Sequence, residues 1–246
     1  MKNLFGLLGK NIAYSFSENY FSEKFKSENL PFKYQNFDIP TISELPILLN
    51  DKIENLIGFN VTIPYKEKIV NYLDDVDTIA NEIGAVNTVK IVDNTYLKGY
   101  NTDCYGFEKS LKPLLKPTHK KALILGTGGA SKAIKFVLKK LNISFKEVSR
   151  TSNSNQFSYT DITKNILNEY TIIINCTPVG TFPNTELAPK IPYLFLTKEH
   201  LLFDLIYNPK ETLFLKNGKK QGATIKNGLE MLKLQAEKSF EIWMNK

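Results

Sequence analysis

Lys121-Ala-Leu-Ile-Leu-Gly-Thr-Gly-Gly-Ala-Ser131 decides the fold of this chain. Its first five residues form an apolar strand pattern. From Ser131 to Leu141 the spacing becomes helical, with Ala133, Ile134, Val137, Leu138 and Leu141 on one face. Strand, glycine turn and helix in that order make a dinucleotide-binding unit. The glycines Gly126, Gly128 and Gly129, with Thr127 and Ala130, let the backbone approach a pyrophosphate. The helix N-terminus adds free N–H groups and a partial positive charge. The stretch therefore predicts a nicotinamide or flavin nucleotide site. It reads G-x-G-G-A-S, with Ser131 where the usual fingerprint has a third Gly or Ala, so a glycine-rich turn of another α/β protein is the competing reading.

The surrounding composition narrows the class. A length of 246 residues suits one large or two modest domains, and 42% hydrophobic content is enough for real cores. No apolar run reaches the roughly 18 residues that a membrane span requires. The start, Met1 to Gly9, turns polar too soon for a signal peptide and reads as a first strand. Cys104 and Cys176 are the only cysteines, which excludes a disulfide framework and points to a reducing, cytoplasmic setting. The two histidines, His119 and His200, lie in surface-like contexts without ligand company, so no metal site is expected. The net charge of +7 raises nucleic-acid binding. The lysines are dispersed over exposed helix faces (Lys132, Lys135, Lys139, Lys140), which favours a solvated surface that attracts anionic small molecules.

Outward from the glycine loop, strands and helices alternate. Before it, strands are expected at 3–8, 32–39 and 55–63, helices at 18–27 and 65–73, a hairpin of 85–91 with 95–100 around Asp93-Asn94, and a helix from Tyr105 to about Leu115. After it, strands are expected at 143–148, 171–175, 201–205 and 223–226, with a polar loop at 149–158. This is the spacing of a parallel sheet with crossover helices. The last segment, Gly228–Trp243, is an amphipathic helix with Leu229, Leu232, Ala236, Phe240 and Trp243 on one face.

Four clusters stand beside the glycine loop. In Tyr14-Ser15-Phe16-Ser17, two hydroxyls one residue apart can both donate to one carboxylate; alternatively Ser17 caps the helix that starts at Glu18. In Gly58-Phe-Asn60-Val-Thr62-Ile-Pro64-Tyr-Lys66, a strand ends in proline and presents a lysine at a helix start. The partly positive helix end disfavours a lysine there, which suggests an acid–base role against the alternative of an exposed side chain. Gly84-Ala-Val-Asn87-Thr88 and Gly99-Tyr-Asn101-Thr102-Asp103-Cys-Tyr-Gly106 place Asn, Thr and Asp at strand ends, suited to a polyhydroxylated substrate. Asp103 by itself reads as a helix cap.

These clusters occur in order with Gly126–Ser131, Asn175-Cys-Thr177-Pro-Val-Gly180 and the tail Gly228-Leu-Glu-Met231-Leu-Lys-Leu-Gln235-Ala236. Together they resemble the shikimate dehydrogenase family across essentially the whole chain. The resemblance implies a substrate-binding domain at 1–103, completed by 224–246, around a Rossmann domain at 104–223. It implies an NADP-dependent oxidoreductase that reversibly reduces 3-dehydroshikimate to shikimate with NADPH, a step toward chorismate and the aromatic amino acids. By motif, Lys66 and Asp103 look like the catalytic pair and Ser15 and Ser17 like a carboxylate clamp. Thr62, Asn87, Asp103, Gln235 and Tyr207 look like the remaining substrate contacts. Gly126, Thr127, Gly128, Gly129, Ala130, Ser149, Arg150, Thr151, Leu205 and Gly228 look like the cofactor site. The resemblance also implies a cytoplasmic monomer or homodimer with no metal, nucleic-acid or membrane partner.

The pattern departs from the family at three places. Tyr14 stands where the family usually has His, and Glu18 where it usually has Pro. Ser152, Asn153 and Ser154 stand where a second basic residue often follows the Arg-Thr pair. The cofactor reading rests on Arg150, at the expected ribose end of the second strand. Glu147, the competing NAD-type acid, falls inside that strand. Two other functions stay open on the same scaffold: a quinate/shikimate dehydrogenase of broader specificity, and a non-catalytic relative that senses such metabolites.

Overall fold

The computed structural model describes residues 3–245 apart from 14, 94 and 152–154. The expected comparisons at Tyr14 and Ser152–Ser154, and the hairpin turn at Asn94, lie outside the described residues. The chain forms two compact units, Met1–Thr102 with Ala236–Lys246, and Asp103–Gln235.

The first unit is a mixed sheet in the order β2-β1-β3-β5-β6-β4. Its strands are β1 (Leu4–Gly9), β2 (Lys33–Asp38), β3 (Leu56–Val61), β4 (Asp75–Val76), β5 (Thr88–Val92) and β6 (Tyr96–Tyr100). β1 runs parallel to β2 and β3, whereas β5 is antiparallel to β3 and β6. β1 is buried along its whole length, as a strand covered on both faces must be. One face packs Leu8, Phe59, Val61, Tyr65, Ile69 and Val89 under α2 (Leu45–Lys52) and α3 (Thr78–Ile83). The other packs Phe5, Phe21, Phe25, Tyr34, Ala236 and Trp243 under α1 (Phe16–Ser27) and the end of the C-terminal helix. Phe21 stacks on Tyr34 at 4.7 Å between ring centroids, and Trp243 Nε1 donates to Val89 O at 2.9 Å. Each buried ring contributes roughly 1.5–3 kcal/mol by leaving water.

The second unit is an all-parallel sheet in the order β12-β11-β10-β7-β8-β9. Its strands are β7 (Lys121–Leu125), β8 (Ser144–Ser149), β9 (Phe157–Ser158), β10 (Ile172–Asn175), β11 (Leu201–Asp204) and β12 (Thr224–Lys226). Counted from β7, this is the doubly wound 3-2-1-4-5-6 order, whose topological switch point lies between β7 and β10. The helices are α4 (Asp103–Leu111), α5 (Gly129–Lys140), α6 (Lys164–Glu169), α7 (Leu213–Lys220) and α8 (Leu229–Met244). α8 starts in this unit and ends in the first.

Several expectations change. Residues 224–235, expected with the first unit, fall in the second, because Thr224–Lys226 is hydrogen-bonded to β11. No α-helix forms at 65–73; a short 3₁₀ segment, Lys68–Tyr72, stands there. The Lys66 carbonyl accepts from Val86 N–H at 2.7 Å, which takes it away from a helical ladder. The helix expected to 115 ends at Leu111, and Pro113 directs the chain into a 3₁₀ turn. The loop at 149–158 contains the short edge strand β9. The histidines are not on the surface. His119 Nδ1 accepts from Lys116 N–H and His200 Nδ1 from Thr197 N–H, both at 3.0 Å, while each Nε2 meets a carbonyl oxygen at 3.0 Å. Both rings therefore pin turns inside the second unit, and burial lowers the His200 pKa.

Candidate functional site

In the second unit a cavity of about 610 Å³ opens at the switch point, the place the doubly wound topology reserves for a ligand. It is lined by Gly126, Thr127 and Gly128, with Cys176–Val179 beside them. Ser149 and Arg150 enter from the tip of β8, and Tyr159 and Leu187–Lys190 complete the lining. Gly126 has φ +97°, and a Cβ there would come within 2.8 Å of the Thr177 methyl group. Gly128 is the N-cap of α5, and a Cβ there would meet no protein atom. The space that a side chain would fill is thus left for a ligand at a twelve-residue helix's N-terminus, as a pyrophosphate requires. The residues present fit a dinucleotide. Ser131, by contrast, turns its hydroxyl back to Gly128 O at 2.7 Å.

The charges on this cavity decide which dinucleotide it suits. Glu147, the acid that could bind a ribose 2′-hydroxyl, is paired with Lys135 of α5 at 3.0 Å. Arg150 stands beyond the end of β8 on the cavity rim, near enough to Tyr159 to oppose the rise that burial gives its phenol. Thr151 follows it, exposed. Leu205 and Gly228 come together at the ends of β11 and β12: a Cβ on Gly228 would lie 2.1 Å from Leu205 O, so only glycine fits.

One residue beneath this site carried no role in the sequence. Asp204 ends β11 fully buried and accepts from Thr212 Oγ1 at 2.6 Å, Asn175 Nδ2 at 3.0 Å and Ile206 N–H at 3.1 Å. Asn175 Oδ1 in turn accepts from Thr177 N–H at 3.0 Å and Thr177 Oγ1 at 2.6 Å. The carboxylate thereby ties the Cys176–Gly180 turn on the cavity to the loop that carries Tyr207. Burial raises its pKa to about 6, against the three donors, which act to lower it. Its signal in the sequence was a lone acid closing an apolar strand.

The second unit also holds Asp103, Gln235 and Tyr207. Asp103 opens α4 and is buried, and one turn later Gly106 faces Met231 O and Gln235 of α8. Asp103 and Gln235 are therefore near each other on facing helices. Gln235 Nε2 donates to Leu232 O at 3.0 Å. Tyr207 is 38% exposed.

The first unit holds Ser15, Ser17, Thr62, Lys66 and Asn87. The helix cap is Ser15, not Ser17: Ser15 Oγ accepts from Glu18 N–H at 3.1 Å and donates to Asn36 Oδ1 at 2.7 Å. α1 accordingly starts at Phe16, two residues earlier than expected, and Ser17 lies buried in its first turn. Both hydroxyls sit at the positive end of α1, where an anion is favoured. The Glu18 carboxylate is engaged by Asn36 Nδ2 at 2.6 Å. Thr62 follows β3, its N–H donating to Leu8 O at 2.9 Å. Lys66 lies in the turn before the 3₁₀ segment, partly exposed, and not at the start of an α-helix as expected.

Asn87 belongs to a closed ring. Thr88 Oγ1 donates to Asn87 Oδ1 (3.1 Å), Asn87 Nδ2 donates to Thr102 Oγ1 (3.0 Å), and Ser239 Oγ lies 3.0 Å from Thr102 Oγ1 and 2.7 Å from Thr88 Oγ1. Assigning the Thr102 proton to Ser239 and the Ser239 proton to Thr88 satisfies every hydroxyl. Thr102 N–H also donates to Asn87 Oδ1 at 2.7 Å. The ring fixes which way the Asn87 amide points and pins the end of α8 to the sheet. Ser239, a hydroxyl on the apolar stripe of α8, was the sequence signal for it.

Among the described residues no cluster of His, Cys, Asp or Glu could hold a metal, and no helix is long and apolar enough to cross a membrane. A doubly wound sheet with a glycine turn at its switch point and an arginine just beyond the end of β8 defines the class: an α/β protein of the dinucleotide-binding type. The family model described as the shikimate dehydrogenase substrate binding domain matches residues 7–89. Shikimate dehydrogenase (NADP(+)) of Methanococcus maripaludis strain S2 is 41% identical, over 98% of this chain and 91% of that protein. Shikimate 5-dehydrogenase from Thermus thermophilus, crystallised with NADP(H) and shikimate, is 31% identical over 98% of this chain and 93% of its own, with a TM-score of 0.86. The Listeria monocytogenes enzyme, in complex with shikimate and NAD, is 29% identical over 100% and 92%, also with a TM-score of 0.86. The chain belongs to the shikimate dehydrogenase family.

Proposed function

We propose that this protein catalyses the reversible NADPH-dependent reduction of 3-dehydroshikimate to shikimate, a step toward chorismate and the aromatic amino acids. The observation that carries the reading is near-full-length similarity to shikimate dehydrogenases at 41% identity. The arrangement of cations agrees with the cofactor, since Arg150 stands at the rim while Glu147 is occupied by Lys135. NADPH supplies the hydride that reduces the substrate carbonyl carbon.

The protein's part is to position and polarise. Ser15 and Ser17, at the N-terminus of α1, hold the substrate carboxylate. Thr62, Asn87, Asp103, Tyr207 and Gln235 take the ring hydroxyls and fix the face that receives the hydride. Lys66 gives a proton to the carbonyl oxygen as charge develops there, and its ammonium stabilises that charge. Gly126–Ala130 hold the pyrophosphate, and Ser149, Arg150 and Thr151 the 2′-phosphate. Leu205 and Gly228 form the wall beside the nicotinamide. The setting is cytoplasmic, and the active species is a monomer or homodimer.

Following reduced-nicotinamide absorbance with shikimate and NADP⁺ tests the reading, with quinate in parallel. Turnover with shikimate that exceeds turnover with quinate is the expected result. Equal use of both acids would establish a broader dehydrogenase, and no turnover with either would remove the enzyme assignment.

A further inference from the structure

The lining of the cavity in the second unit carries two cations, Arg150 and Lys190, and no carboxylate. Arg150 is accounted for by its place at the end of β8. Lys190 lies forty residues further along the chain, and nothing in the dinucleotide fingerprint calls for it.

Its place in the wall is well defined. Pro189 O accepts from Tyr193 Oη at 2.7 Å, and Ile191 N–H donates to Pro189 O at 2.9 Å. Ala188 and Ile191 pack into the same core cluster as Phe157 and Tyr159, the residues that follow the tip of β8. The segment bearing Lys190 is thus fixed by the core of the second unit, in the wall of the cavity that Arg150 also lines. Pro189 and Pro192 bracket it, so its backbone has little freedom left to lose when a ligand binds. The Lys190 side chain is exposed, with no hydrogen bond or ion pair among the described residues. Its acidic neighbour Glu186 is not part of the lining.

We infer that Lys190 is the second cation of the NADP site, so that it and Arg150 together recognise the ribose 2′-phosphate. The inference rests on the NADP reading above. It assigns to a distant wall segment the charge that the sequence withholds at Ser152–Ser154, directly after the Arg150-Thr151 pair. A dianion is held better by two cations than by one, and the planar Arg150 fork leaves phosphate oxygens for a point-charge ammonium.

Binding, rather than turnover, tests this. NADP, NAD, 2′,5′-ADP and 5′-AMP are titrated calorimetrically into the wild type and into Lys190→Ala, Lys190→Glu and Lys190→Arg. Exposure and salt screening limit a single lysine to about a three- to tenfold effect. Lys190→Ala is expected to weaken NADP and 2′,5′-ADP by that factor and to leave NAD and 5′-AMP within about twofold. Lys190→Glu is expected to weaken the two 2′-phosphate ligands further, and Lys190→Arg to retain them. The unchanged 5′-AMP affinity serves as the control for an intact fold. A wild type that prefers NADP, with Lys190→Ala keeping the full preference or losing NADP and NAD affinity alike, would overturn the assignment of Lys190 alone. A wild type that binds NAD as tightly as NADP would overturn the NADP reading and the inference with it.

Discussion

The two units build their candidate sites in opposite ways. In the second, the cavity is made by short consecutive stretches at the ends of neighbouring parallel strands: Gly126–Gly128 after β7, Ser149–Arg150 at the end of β8 and Cys176–Val179 after β10. Backbone does most of the shaping, a buried acid braces it from below, and cations stand at the rim. In the first, Asn87 is aimed by a ring of neutral groups, Thr88, Thr102 and Ser239, that come from three separate places in the chain. A neutral ring sets direction without placing charge, as suits a site that must tell one hydroxyl from another. A cationic rim sets charge without fine direction, as suits a phosphate on a flexible dinucleotide.

The sharpest break of that contrast would come at Lys66, the one charged residue assigned a chemical step in the first unit. Lys66→Ala is expected to lower kcat at least about a hundredfold with a smaller effect on shikimate affinity. Steady-state turnover alongside equilibrium shikimate binding checks this, and near-wild-type kcat in the folded variant would leave the first unit with a binding role only.

The bracing acid of the second unit makes a prediction about pH. The folded pKa of Asp204, about 6, lies above its ordinary 3.8, so the native state holds the proton more tightly than the unfolded state. Its contribution to stability is therefore present at low pH and is lost as pH rises from about 4 to about 6, by up to roughly 3 kcal/mol. Asp204→Asn should remove this slope, so that the variant gains on the wild type across that interval. Urea melts in a pH series read the difference; a constant offset would mean that the carboxyl is already ionised at pH 4. The lowered pKa of His200 works in the opposite sense, costing stability as pH falls below about 6.5, and is common to both proteins.

Smaller effects refine the rim and the clamp. Arg150→Ala is expected to weaken NADP by about tenfold and leave NAD nearly unchanged, measured by cofactor titration. A parallel loss for both would mean that Arg150 supports the cavity wall instead of reading the phosphate. Ser17→Ala should raise KM for shikimate a few-fold, with kcat retained, because the bond it removes is shared by ground and transition states. A loss confined to kcat would place Ser17 outside the clamp.

What could be read in the sequence follows the same divide. The glycine-loop lining of the second unit's cavity is local: an apolar strand, a glycine turn and an amphipathic helix lie within twenty residues, and their periodicities decide the outcome. The parallel sheet, the hairpin of β5 and β6 and the C-terminal helix were legible for the same reason. The helices α2, α3, α6 and α7 were not, because they are six to eight residues long and too short for a periodic signal. The 3₁₀ segment at Lys68–Tyr72 escaped because the Lys66 carbonyl is claimed by Val86, a residue twenty positions away. His119 and His200 read as surface residues because their partners are backbone groups, which carry no sequence signature.

By itself, the sequence determined that a dinucleotide unit follows an α/β unit, and its ordered motifs marked Lys66, Asp103 and the glycine loop. Those are properties of neighbouring residues, and neighbouring residues are what periodicity and motif can register. Only the tertiary structure decided that Ser239 aims Asn87, that Glu147 is taken by Lys135, that Asp204 braces the Cys176–Gly180 turn, and that Lys190 shares a cavity with Arg150. Each of these depends on which side chains burial and strand order bring within hydrogen-bond or Coulomb range, and that distance has no fixed relation to separation along the chain.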